Sequence, residues 1–117
     1  MRVLIGLLLT VVLLAGCGSQ AFKPGTSGYK ATFTVADNEP GFLALDTSAS
    51  TAPGGCVLQY SVDWGDGLPL VPEWDIKTDP SHPYDTGGTY TVVLSIRDTK
   101  NLVVVGTYSQ FVTVTDP

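Results

Sequence analysis

Residues 62–67 read Val62-Asp63-Trp64-Gly65-Asp66-Gly67, two carboxylates among glycines beside a tryptophan. Acids so close to a turn have two uses. They can supply oxygens to a hard cation such as Ca²⁺, which takes about six to eight of them, or they can accept hydrogen bonds from the turn's own N–H groups. An EF-hand is excluded by spacing: with Gly67 on that loop's glycine, Asp66 and Glu73 fall on ligand positions while Val62 and Trp64 occupy two others. No cofactor is expected from this spacing alone. His82 is the single histidine, in "DPSHPYD". Its neighbour Ser81 does not make a Ser-His-Asp site with it, because adjacent residues of one loop rarely reach that geometry. A thiol-imidazole pair of Cys56 with His82 meets the objection that Cys56 falls on the inward face of its strand, where a thiol behaves as a small hydrophobe. Phosphate-cradling glycine loops, HExxH and CxxC are absent. No catalytic residue is therefore expected. Trp74, in "LPLVPEWDIK", has two readings: an aromatic that stacks on a sugar or anchors a protein partner, or a cap over an open sheet edge. Phe42, beside the inward Leu43, is a second candidate of the same kind.

The elements that must hold these residues have a period of two, the mark of half-buried strands. "YKATFTVAD" puts Tyr29, Ala31, Phe33 and Val35 on one face, and "GFLALD" puts Leu43 and Leu45 on one. "CVLQYSVDW" aligns Cys56, Leu58, Tyr60, Val62 and Trp64 against Gln59, Ser61 and Asp63. "TYTVVLSIRD" turns Tyr90, Val92, Leu94 and Ile96 inward, and the last run turns Val112 and Val114 inward as one long strand or two, with Gly106 a candidate bulge. "TSASTAPGG", "GDGLP", "DPSHPYDTGG" and "DTKN" read as turns. Short strands between turns predict an all-β fold, a Greek-key β-sandwich of about seven strands. Tyr90 lies two residues before the core position Val92, where Ig-like sandwiches place a tyrosine corner.

Ahead of the sandwich, Arg2 and the apolar run "VLIGLLLTVVLLAG" have the charged and apolar regions of a signal peptide. The run is shorter than the ~20 residues a membrane span needs. Leu14-Ala15-Gly16-Cys17 resembles the lipobox of bacterial lipoproteins, which implies lipidation of Cys17; an ordinary signal peptide with a chance cysteine is the other reading. The resemblance implies an exported, membrane-anchored lipoprotein. With no aspartate at Gly18 or Ser19, an outer-membrane or cell-surface address is expected. The chain divides into 1–17, signal peptide and lipidated cysteine; 18–29, a flexible linker by its glycine and serine content; and 30–117, the sandwich. The formal net charge of −5, with acids dispersed singly, argues against a nucleic-acid partner.

"LDTSAS", "YSVDWGDG" and "HPYDTGGTYTVVLSIRD", in this order and spacing, resemble the PKD domain, an Ig-like sandwich common in exported proteins. The family motif W-D-F-G-D-G becomes Val62-Asp63-Trp64-Gly65-Asp66-Gly67 here. Volume lost at Val62 returns at Trp64, two residues along on the same face, an exchange that cores tolerate. The resemblance makes His82, Tyr84 and Tyr90 structural members of the motif. It also implies a non-catalytic module that binds an extracellular protein or polysaccharide or acts as a spacer. The alternative is an accessory domain or subunit of a secreted hydrolase, stabilised by calcium; the resemblance implies that such a site would use Asp63, Asp66 or Asp46.

Overall fold

The structure is a computed structural model that describes residues 28–54 and 56–117. The apolar run, Cys17 and the linker up to Ser27 lie outside the described residues. Seven strands follow in order: β1 (Thr34–Glu39), β2 (Phe42–Asp46), β3 (Leu58–Asp63), β4 (Glu73–Asp75), β5 (Ser81–Pro83), β6 (Gly88–Asp98) and β7 (Val104–Val114). They form two antiparallel sheets, β1-β2-β5 and β4-β3-β6-β7. The chain changes sheet after β2, β4 and β5, which makes an Ig-like sandwich.

Alternation fixes the register. Leu43 and Leu45 of one sheet face Leu58, Tyr60, Val62, Val92, Leu94, Ile96, Val112 and Val114 of the other, and all are buried. Each such aliphatic side chain gains roughly 1.5–3 kcal/mol by leaving water, and a one-residue slip would expose a whole strand's set. Val62 and Trp64 are both within 1% of full burial, so the smaller and larger members of the exchanged pair share the core.

Several local expectations need correction. Ala31 and Phe33 are buried as expected, but the first strand begins only at Thr34. Lys30 instead bridges Thr51, and the shift between Val35 and Asp37 leaves Ala36 unpaired as a bulge. Residues 81–83, read as turn, form β5 against Phe42–Ala44. A proline fits there because β5 is an edge strand. The last run is one strand, and the bulge falls at Val105, between Gly106 opposite Ile96 and Val104 opposite Arg97. Cys56, expected as a buried thiol, lies before β3, half-buried and disulfide-bonded.

The sandwich has two dissimilar ends. At one, the turn end, Tyr84 N donates to Gly41 O (2.9 Å), Gly41 N to Thr115 O (2.8 Å) and Gly87 N to Asp116 Oδ1 (2.7 Å). At the other, the hairpin end, Tyr29 Oη donates to Asp98 Oδ2 and Thr99 N donates to Val57 O (3.1 Å). The chain thus comes into the fold beside the β6–β7 hairpin.

Candidate functional site

The turn after β3 is built on its two acids. Asp63 Oδ1 accepts from Gly65 N (3.0 Å) and Asp66 Oδ1 from Leu68 N (3.2 Å), the side-chain-to-backbone closure that aspartate favours in turns. Gly65 has φ of 81°, and a Cβ there would stand 2.5 Å from the Thr91 carbonyl oxygen, so only glycine lets the turn lie against β6. Asp66 Oδ2 accepts from His82 Nε2 at 2.6 Å. Burial opposes ionisation of Asp66, but the hydrogen bonds from His82 and Leu68 N together outweigh it and hold the carboxyl below its usual range.

Behind this pair runs an aromatic ladder. The His82 ring stacks on Trp64 (centroids 5.0 Å, planes 10° apart), meets Tyr84 edge-on (4.9 Å, 86°), and Tyr84 stacks on Tyr90 (4.2 Å). Tyr84 Oη donates to Trp64 O (2.8 Å), and burial, followed by the Asp66 charge, pushes its phenol up. Tyr90 Oη donates to Thr86 O, four residues upstream, the bond of a tyrosine corner. The motif residues Trp64, Asp66, His82, Tyr84 and Tyr90 are therefore one contiguous structure joining β3, β5 and β6.

The three acids offered for calcium do not converge. Asp66 already has both oxygens engaged and Asp63 has one. Asp46 lies three residues beyond Leu43, the partner of His82 in β2, or about 10 Å along the strand. Hydrogen bonds from the Ser48 side chain and then from Ser48 N (2.9 Å, to Oδ1) hold its carboxyl below the usual range. It lines an open depression of about 670 Å³ with Ile76, Lys77 and Asp79. Among the described residues no three His, Cys, Asp or Glu side chains are placed to hold a metal ion. This donor set does not fit Ca²⁺.

Trp74 sits on β4, the edge of the larger sheet, at the irregularity where Tyr60 pairs Asp75 and Ser61 pairs Glu73. Its φ is 71°, rare for a bulky residue, and its side chain is half-buried. The Arg97 guanidinium carbon stands 4.4 Å from the ring centroid, and Arg97 Nε donates to Gln59 Oε1 (2.8 Å). Arg97 and Gln59 are opposite one another on β6 and β3. Alternation already put both on the solvent face, but nothing in the sequence linked them to Trp74, because β4 has only three residues, too few for alternation to declare a strand. Phe42 is half-buried in β2, in the other sheet, so the two aromatic candidates do not share a surface.

A further polar cluster escaped the sequence reading. Asp98, the last residue of β6, is fully buried and accepts from Tyr29 Oη, from the N–H of Lys100 (2.8 Å) and of Asn101, and from Asn101 Nδ2 (3.1 Å). Burial opposes its ionisation, but these bonds outweigh that and lower its carboxyl. Burial and Asp98 push the Tyr29 phenol up to about 12. The cue was "DTKN", an aspartate opening a turn; its partner is 69 residues away.

The family described as PKD domain matches residues 30–115 of the chain. Two solved structures share the fold: the PKD1 domain of Vibrio anguillarum Epp (24% identity, TM-score 0.58, covering 74% of this chain and 93% of that one) and the PKD1 domain of the Vibrio cholerae metalloprotease PrtV (22%, 0.56, 75% and 98%). A third, from work on carbohydrate-binding modules of the β-sandwich superfamily, aligns at 25% identity and TM-score 0.62 over 80% of this chain and 36% of that one. No curated protein matches in sequence.

Proposed function

The chain belongs to the PKD domain family, and from that premise we propose that it is a non-catalytic module, anchored by lipid on Cys17 at the outer membrane or cell surface, that binds an extracellular polysaccharide or protein through Trp74. The observation that carries this reading is the Trp74–Arg97–Gln59 arrangement. One ring face is backed by a guanidinium that is itself held in place, so the indole is fixed before any ligand arrives and loses little freedom on binding. An aromatic platform with hydrogen-bonding groups at its rim suits a sugar ring or a flat protein surface. The likeness to a structure from work on carbohydrate-binding modules supports the first.

Trp74→Ala should remove retention on an affinity column of the bound polysaccharide or protein, about 2 kcal/mol or more for an anchoring aromatic. Its effect on stability should stay near the ~1 kcal/mol of one exposed cation–π contact. Full retention by the variant would refute the site. The anchor is tested separately. A cysteine sulfur carries a thioether or a disulfide and never both, so a diacylglyceryl group on Cys17 requires the disulfide of Cys56 to join a second chain, whereas a bridge from Cys17 to Cys56 excludes the lipid. Mass spectrometry of the native membrane fraction should find the acylated species.

A further inference from the structure

The hairpin end bears apolar side chains where a water-facing tip would carry polar ones. Leu102, Val103 and Val104 are 54%, 59% and 48% exposed, and Val57 beside them is 52% exposed. Backbone bonds place three of the four, with Val103 between two of them: Leu102 N donates to Asp98 O, Thr99 N donates to Val57 O, and Val104 pairs Arg97. Single exposed hydrophobics need no explanation, but four at one tip do.

Three further features point to what covers them. The first is position: Tyr29, near the start of the described residues, is tied to Asp98 at this end. Eleven residue steps separate Gly28 from Cys17, a reach of at most about 40 Å for any chain of that length. The second is charge: Lys30 and Lys100 lie at this end beside the buried, internally bonded Asp98, and Arg97 and Asp75 stand level with one another above it, whereas Glu39, Asp63, Asp66, Asp85 and Asp116 lie at or near the turn end. The third is rigidity: the tip is held by the buried Asp98 cluster, so its side chains are presented without further ordering.

We infer that this end seats on a lipid bilayer, with Leu102, Val103, Val104 and Val57 in the interfacial region and Lys30 and Lys100 among anionic headgroups. An apolar patch bordered by lysines is a composition that binds such an interface. The inference extends the lipid-anchor reading: the acyl chains keep the domain near the membrane, and the tip sets its orientation, turn end outward.

The test uses the full chain from its native membrane, reconstituted in phosphatidylcholine–phosphatidylglycerol vesicles with brominated acyl chains. In Val103→Trp the added indole should shift to the blue and lose fluorescence to bromine, over the background of Trp64 and Trp74, while in Phe111→Trp it should not. On wild-type protein, vesicles should slow amide exchange in residues 99–105 and leave 63–67 unchanged. An unquenched indole at position 103 together with unchanged exchange would overturn the inference. So would a blue shift that is the same without vesicles, which would mean that a second copy or the chain's own apolar run covers the tip. Mass spectrometry reports acylation independently. A chain without acyl groups refutes the anchor, and its quenching on added vesicles still decides whether the tip binds lipid.

Discussion

The two ends of the sandwich both rest on a buried or half-buried aspartate that organises a turn, yet they differ in what they leave for the outside. At the turn end, Asp66 faces His82, and the aromatic rings of Trp64, Tyr84 and Tyr90 lie against one another. The chemically active groups satisfy each other. At the hairpin end, Asp98 takes up the local donors, and what remains on the surface is aliphatic, bordered by lysines. The polar residues that draw the eye in a sequence are internal fastenings, and the unremarked valines and leucine carry the unmet contact. Groups rich in hydrogen-bonding capacity are costly to bury unpaired, so the fold pairs them. An exposed aliphatic patch costs far less and persists.

Substitutions should separate the ends by size of effect. Trp64→Ala removes the largest core side chain of the turn end and the stacking partner of His82; denaturant unfolding should report a loss of about 3–5 kcal/mol. A loss near 1 kcal/mol would show that the ladder carries little of the stability. Asp66→Asn should cost about 1.5–3 kcal/mol at neutral pH, the range for a hydrogen bond to a charged group. The carboxyl is held lower in the folded state than unfolded, so its stabilisation is present above the ordinary carboxylate value of about 4 and is lost as pH falls through that value and below. A pH series of unfolding midpoints should therefore show a smaller acid decline for Asp66→Asn than for wild type, and parallel curves would refute the pairing. Leu102→Asp, at the hairpin tip, should change stability by no more than about 0.5 kcal/mol while weakening vesicle association. A large stability loss there would make the tip part of the core and erase the contrast.

The alternation of "CVLQYSVDW" and "TYTVVLSIRD" was enough to put Leu58, Tyr60, Val62, Trp64, Val92, Leu94 and Ile96 inside, because burial of one strand face is encoded locally. The exchange of aromatic weight from Val62 to Trp64 was legible for the same reason: both point the same way. Tyr90 was placed by its offset from Val92, and its bond to Thr86 is only four residues long. What could not be read is set by distance in the chain. His82 with Asp66, Arg97 with Trp74 and Tyr29 with Asp98 are separated by many residues, and their pairing depends on which strands become neighbours. β5 was missed because Ser-His-Pro has no alternation to display, and its strand form comes from β2 alongside. The exposure of Leu102–Val104 was hidden because an apolar run beside a strand reads as core.

The bulge at Val105 separates two kinds of inheritance in one hairpin. From Gly106 to Val114 each β7 residue is locked to a partner on β6, and a shift by one position would turn Val112 and Val114 outward. The extra residue at Val105 stops that lock short of the tip. Changes of length between Leu102 and Val104 can therefore be absorbed without rewriting the core or the turn bonded to Asp98, which leaves the tip free to diverge while the rest of the strand stays constrained.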